Sequence, residues 1–280
     1  MRRVNAVELR PVTLVLGSDE IGSAVAHALL GAGANVILID EVDPPWPRRG
    51  MTFTDAWYFG VAELEKVSAC FCASVRSIPA LLNRPSLIAA TTWSWQGVTK
   101  FLSPAALIDA RMRGCIASSP VKGSLQAPAL TIGVGDGFVA GTDVDVVVEV
   151  ATSECSGGTS ESDDRAREDT VHTRSGDVGG TRVVCAPRAG RFQTKLAIGD
   201  SVEAGGIIGE IAGELVRAPT HGVLRGLSAR GARVGAGCAI VEVDPRGDPK
   251  QCFGQSARAR RIGASVVARL AEGGVLAISA

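Results

Sequence analysis

Val12 to Leu16 form a short, almost wholly apolar run, the signature of a strand buried on both faces. The period then changes. Ile21, Val25, Ala28 and Leu29 recur at helical spacing, and Gly31 and Gly33 stop the helix. Val36 to Ile39 make a second apolar run, with Asp40 at its carboxyl end. Strand, glycine turn, helix and strand form a βαβ unit, and such a unit demands a parallel sheet. "VSACFCASV", "SIPALL" and "AALIDARM" read as further strands. "APALTIGVGDGFVAGTDVDVVVEV" predicts a strand, a loop carrying Gly133, Gly135, Gly137 and Gly141, and an alternating strand.

The pattern lapses between residues 152 and 181, where Ser, Gly, Asp and Arg prevail and large apolar side chains nearly vanish. Such a segment buries too little surface to order itself, so a flexible polar linker is expected. Apolar positions then return as a repeat. "APRAGRFQTKLAIGDSVEAGGIIGEI" starts at Ala186 and "APTHGVLRGLSARGARVGAGCAIVEV" at Ala218. Gly190 and Gly222, Gly199 and Gly231, Val202 and Val234, and Ile208 and Ile240 keep one offset without a gap. Two halves of short strands between glycine turns can close around a single core. After them, Ile262, Val266, Val267 and Leu270 lie at helical spacing opposite a face rich in Arg. The expected class is α/β: a Rossmann-like parallel-sheet domain (1–151), the linker (152–181), a small all-β domain (182–244), and a terminal motif and helix (245–280) that pack back on the body.

Charge and composition narrow the function. Lys plus Arg number 29, as do Asp plus Glu, so no broad basic field points to nucleic acid. Aromatic content of 4% also argues against a stacking platform for single strands. No apolar stretch approaches the ~20 residues of a membrane span. "MRRVNAVELRP" leads into a run too short for a secretion signal, and a cytoplasmic protein is expected. The seven Cys are scattered without a CxxC, and with three His they suggest no metal site.

Candidate chemistry gathers at glycine turns. Gly17 and Gly22 hold the first and third places of a dinucleotide fingerprint, but Asp19 takes the second. An acid there opposes a pyrophosphate, even at a helix N-terminus. Asp40 stands where a ribose hydroxyl would be bound. The loop with Gly133, Gly135 and Gly137 follows an apolar strand, at the sheet edge where open α/β folds bind ligands. It reads either as a ligand cradle or as a tight crossover. "VDPRGDPKQC" gathers Asp244, Arg246, Gly247, Asp248 and Cys252. It reads either as a helix-entry turn or as a binding surface in which the two acids fix the Arg. No catalytic acid–base pair stands out, and the only Tyr, Tyr58, belongs to no Tyr-x-x-x-Lys.

The repeat resembles the biotinyl/lipoyl-type barrel-sandwich domain, with Ala-Pro-x-x-Gly at the start of each half and Gly-Asp-x-Val-x-x-Gly in the first. Its hairpin, "EIAGELVRAP", has no Lys, so the resemblance implies no swinging arm. The whole chain resembles the accessory proteins of selenium-dependent molybdenum hydroxylase systems, akin in role to xanthine dehydrogenase maturation factors. "GSDEIGSAVAH", "RRGMTFTDA", "LTIGVGDGFVAG" and "EVDPRGDPKQCFGQSARARRIG" carry that resemblance. It implies a factor for maturation of, or cofactor insertion into, a molybdenum hydroxylase, with that apoenzyme or its maturation machinery as partner. The cofactor is unknown; a nucleotide or molybdopterin-type phosphate is the implied ligand. Arg48 and Arg49, after the rigid "DPPWP", then become a phosphate clamp. Gly17, Gly22, Gly133, Gly135, Gly137, Asp244, Arg246, Gly247, Asp248 and Cys252 match the family's motifs. Asp19 and the polar segment from 152 depart from them. The competing readings are an NAD(P)-dependent oxidoreductase and a non-enzymatic docking protein. The sequence sites predict one cleft, with "VDPRGDPKQC" facing the Gly133–Gly141 loop and Arg48/Arg49.

Overall fold

A computed structural model describes residues 10–112, 124, 127–150 and 181–277. The expected linker falls almost wholly outside the described residues. β1 (Val12–Leu16), α1 (Glu20–Gly31) and β2 (Asn35–Ile39) follow the apolar pattern, and β1 and β2 pair in parallel. α2 (Asp55–Phe59) leads into an antiparallel hairpin of β3 (Val61–Leu64) and β4 (Val67–Phe71). Glu65 and Lys66 turn it with φ of 49° and 69°, as a type I′ turn requires. β5 (Leu87–Thr91), α3 (Trp95–Thr99), β6 (Ala106–Asp109), β7 (Leu130–Val134) and β8 (Val146–Val148) follow. The eight strands lie in the order β3-β4-β5-β2-β1-β6-β7-β8, and only the β3–β4 pair is antiparallel.

Both faces of this sheet are covered, as a parallel sheet demands. Val15, Leu38, Ile108 and Ile132 pack on one side with α1; Leu14, Ile37, Ala89 and Leu107 pack on the other. The segment read as a strand, "SIPALL", instead contributes to a 3₁₀ helix over Val75–Ala80. Ser74 caps it through the amide of Arg76, Pro79 lies inside it, and the buried Val75 and Ile78 are three residues apart, the period of that helix. Gly133 belongs to β7 rather than to the loop after it.

The second half forms two four-stranded antiparallel sheets. The strands are β9 (Arg182–Cys185), β10 (Gly190–Gln193), β11 (Ser201–Val202), β12 (Ile207–Ile211), β13 (Glu214–Arg217), β14 (Gly222–Leu227), β15 (Arg233–Val234) and β16 (Ala239–Asp244). Their orders are β13-β12-β10-β15 and β11-β14-β16-β9. The repeat explains the arrangement. β9 to β12 recur as β13 to β16, and each half gives its two-residue strand to the other's sheet. Phe192, Ile208 and Ile211 of one sheet share a core with Leu224, Val241 and Val243 of the other.

A short 3₁₀ turn (Pro249–Cys252) precedes α4 (Ala257–Glu272), which returns to the large sheet. Ile262, Val266 and Leu270 enter the core beside α1. The two helices approach closely because Gly263 offers no side chain: a Cβ there would lie 2.9 Å from the Ala24 carbonyl oxygen. Among the described residues, no helix is long and apolar enough to cross a membrane.

Candidate functional site

The carboxyl edge of the large sheet changes direction between β1 and β6, where successive connections leave toward opposite sides. Open α/β sheets bind ligands at such a reversal. The turn after β1 sits there. Gly17 has φ of 97°, which suits glycine alone. A Cβ on Gly22 would come within 1.9 Å of the Gly17 carbonyl oxygen, so helix and turn can close only around glycine. Beneath them, the Ser18 carbonyl accepts from Ser23 Oγ at 2.8 Å and Thr54 Oγ1 at 2.9 Å. The "RRGMTFTDA" stretch thus underpins the glycine turn.

The Gly17, Ser18 and Gly22 amides of this turn are already occupied, Gly17 N donating to the Ile39 carbonyl oxygen at 2.8 Å. Ser18 N donates to Asp40 Oδ2 at 2.6 Å, and Trp46 Nε1 donates to the same oxygen at 2.8 Å. Glu41 N donates to Asp40 Oδ1 at 2.7 Å. Asp40 therefore bonds the protein's own amides and indole at the place where a ribose would be read. Asp19 caps α1, with Gly22 N donating to its Oδ1 at 2.8 Å. Burial, reinforced by Asp40 and Glu20, pushes its carboxyl up to about 7 against the pull of that amide.

Arg111 is a residue that the sequence pattern did not single out. It follows β6 and binds the fully buried Asp109 through Nε at 2.8 Å and through Nη2. Its stem lies on Gly17, whose Cβ would meet Arg111 Cγ at 3.2 Å. The ion pair with Asp109 raises the guanidinium's pKa against desolvation, with Asp40 and Glu41 adding to it. The next residue, Met112, presses on Gly135, where a Cβ would come within 2.7 Å of its sulfur. Consecutive residues thus link the two glycine turns. The signal was the charged "DAR" at the end of an apolar strand.

Arg48 and Arg49 lie at the junction of the two halves. Arg48 donates to Glu242 through Nε at 2.6 Å and Nη2 at 2.8 Å, and to Glu20 through Nη1 at 2.6 Å. Arg49 donates to the Leu227 carbonyl oxygen at 2.8 Å and pairs with Asp55. Leu227 N donates to the Pro47 carbonyl oxygen at 2.7 Å, which fixes the same seam.

The turn of Asp244, Arg246, Gly247, Asp248 and Cys252 closes on itself and then on this seam. Arg246 Nε and Nη2 donate to the buried Asp244 at 2.9 and 2.5 Å. Gly247 has φ of 72°, and Asp248 caps the 3₁₀ turn through the amide of Lys250. Cys252 is buried, which pushes its thiol up and away from the reactive thiolate. The chain after it covers Gly50, where a Cβ would stand 2.6 Å from the Cys252 carbonyl oxygen. The turn is thus joined to the Arg48–Arg49 segment through Gly50. The Gly135–Gly137 loop has other neighbours, Met112 and β8. No group of three His, Cys, Asp or Glu side chains suited to a metal ion occurs among the described residues.

No protein-family profile matches the chain. It is 28% identical over 261 residues to "Uncharacterized protein YqeB" of Escherichia coli (strain K12), an alignment covering 92% of this chain and 47% of that protein. The chain therefore spans about half the length of that relative. Among solved structures, the ectoine utilization protein EutE (DoeB) from Ruegeria pomeroyi is 9% identical, covers 84% of this chain and 85% of its own, and has a TM-score of 0.24. A succinylglutamate desuccinylase/aspartoacylase from Rhodobacter sphaeroides is 9% identical, with coverage of 84% and 86% and a TM-score of 0.22. Superpositions that poor carry no argument about this chain.

Proposed function

We propose that the protein is an accessory factor for maturation of, or cofactor insertion into, a molybdenum hydroxylase. In this reading the first half is a Rossmann-like unit and the second a barrel-sandwich without a carrier lysine. The order β5-β2-β1-β6-β7-β8 supports the first, because a dinucleotide fold runs 3-2-1-4-5-6. The exchange of short strands between repeats supports the second. The hairpin between β12 and β13 turns through Ala212 and Gly213, so no amine stands where a prosthetic group would be attached.

One observation carries the choice over an NAD(P)-dependent oxidoreductase. Asp40 and Asp19 hold the Ser18 and Gly22 amides that would face a pyrophosphate. A dinucleotide bound there would displace two hydrogen-bonded carboxylates and then meet their charge. The test has two arms. Calorimetric titration with NADH, NADPH and ATP should give no heat of tight binding. Co-expression with a molybdenum hydroxylase apoenzyme should yield a co-purifying pair and a more active hydroxylase. Tight NAD(P)H binding with hydride exchange would establish the oxidoreductase instead. Co-purification without activation would favour a docking protein.

A further inference from the structure

The small sheets are fastened to the large one at its carboxyl edge, by residues 44–51, which follow β2. Leu227, at the end of β14, is bonded through both backbone groups. Its N–H donates to the Pro47 carbonyl oxygen at 2.7 Å, and its own carbonyl accepts from Arg49 Nε at 2.8 Å. Ser228 Oγ donates to the Pro45 carbonyl oxygen at 3.2 Å. The approach is close, since a Cβ on Gly226 would stand 3.2 Å from the Pro47 Cβ. Tyr58 of α2 packs against the core of the small sheets, and its hydroxyl donates to the Pro44 carbonyl oxygen at 2.8 Å. At the other end of the segment, Gly254 N donates to the Gly50 carbonyl oxygen at 3.1 Å.

Two units of one chain move relative to each other by default, unless their interface holds them. This interface holds through directed bonds. Arg48, in the same segment, donates to Glu242 of β16 through Nε and Nη2 and to Glu20 of α1 through Nη1. A guanidinium in parallel bonds with one carboxylate accepts a narrow range of positions. The desolvation cost of a nearly buried pair offsets much of its attraction, so its main effect here is on position. Glu20 lies beside Asp19, the cap of α1 next to the glycine turn. One guanidinium therefore sets the small sheets against the reversal between β1 and β6. We propose that the small sheets are a fixed wall of that reversal, with Arg48 setting their position, and not an arm that swings on a tether. A ligand or partner arriving at the glycine turn then meets both halves as one surface. The proposal goes beyond the maturation reading and does not depend on it.

Amide relaxation of the full, isotope-labelled chain gives the first test. Amides of β1–β8 and of β9–β16 should relax with one rotational correlation time. Separate times for the two sets would overturn the proposal. Arg48→Lys gives the second test. The ammonium keeps the charge but cannot hold Glu242 by two parallel bonds while it reaches Glu20. Hydrogen exchange should rise roughly tenfold at the Leu227 amide of the seam. It should rise equally at the Ser23 amide, which donates to the Asp19 carbonyl oxygen in the first turn of α1. The amides of the β12–β13 hairpin should exchange as in wild type. Exchange unchanged at Leu227 or at Ser23 would overturn the role given to Arg48. If the Arg48→Lys protein does not fold, relaxation of the wild-type chain decides alone.

Discussion

Arg48 and Glu242, 194 residues apart in sequence, share two hydrogen bonds of 2.6 and 2.8 Å. The same guanidinium reaches Glu20 in the first turn of α1. Both side chains of the main pair are nearly buried, at 13% and 4% exposure, so the pair works at low dielectric. Arg225, 3.9 Å from Glu242, adds a second positive charge beside the same carboxylate. One side chain thus ties the glycine-turn helix to the small sheets.

Removing one member of such a pair leaves an uncompensated charge. Arg48→Ala should destabilise the protein by about 3–5 kcal/mol, read by urea denaturation. Replacing both partners, Arg48→Met with Glu242→Leu, should cost less, because the nearly buried Glu242 is then not left without its main counter-charge, although Glu20 and Arg225 each lose a neighbour. A double variant as unstable as Arg48→Ala would show that shape, rather than charge, holds the seam.

Asp19 should set the alkaline side of the stability curve. Its carboxyl titrates near 7 in the folded protein, against an ordinary value of 3.8. A group with a raised folded pKa favours folding when protonated, so its contribution is complete below about pH 4 and is lost as pH climbs through 7. Asp19→Asn still offers an oxygen to the Gly22 amide and cannot ionise. It should therefore be more stable than wild type at pH 8, by about 1–2 kcal/mol given the carboxyl's partial contact with water. The gap should close toward pH 4. Parallel melting curves across this range would refute the assignment.

Gly50 tests the seam at a different point. A Cβ at this position would come within 2.6 Å of the Cys252 carbonyl oxygen and 2.8 Å of the Phe253 ring. Backbone cannot yield as a flexible side chain does, so Gly50→Ala should push the 249–254 segment away. Hydrogen exchange should rise at Gly254, whose amide donates to the Gly50 carbonyl oxygen. The far hairpin of β12 and β13 should exchange as before.

The sequence pattern was strongest where one period ran long enough to be read alone. β1, α1 and β2 were legible from their apolar spacing. The repeat announced the short strands that the two halves exchange, because its offset never slips. Residues 75–80 were harder, since a short apolar run fits a strand or a 3₁₀ turn until Pro79 and the cap at Ser74 decide it. β4 lies in "VSACFCASV", which reads as a strand, but β3 and the hairpin are not legible because the turn uses Glu65 and Lys66 at positive φ, without the glycine that usually marks one. Arg111 escaped notice because its contact with Gly17 crosses from one strand end to another. Arg48 and Arg49 stood out as charged residues after a rigid turn, but Glu242, the acid that engages Arg48, is remote in sequence. Gly17, Gly22 and Asp40 do come together, and what their spacing could not reveal is that Asp40 has turned inward.

"VDPRGDPKQC" gives the remaining test, because its structural and functional readings predict different losses. Asp244 is 1% exposed and Arg246 is 49% exposed, so the arginine guards a buried acid from the surface. The hydrogen bonds from Arg246 hold the Asp244 carboxyl below its ordinary range. That contribution is present at neutral pH and is lost as pH falls through the depressed value. Arg246→Ala should therefore cost about 1–3 kcal/mol at pH 7, the penalty of a buried acceptor losing its main donor. The penalty should shrink in acid, where Asp244 is protonated in both proteins. If the turn is only a clamp, the hydroxylase activation expected of the proposed role should match wild type at a temperature where the variant stays folded. Activation lost without any loss of stability would instead place Arg246 on the surface that meets a partner.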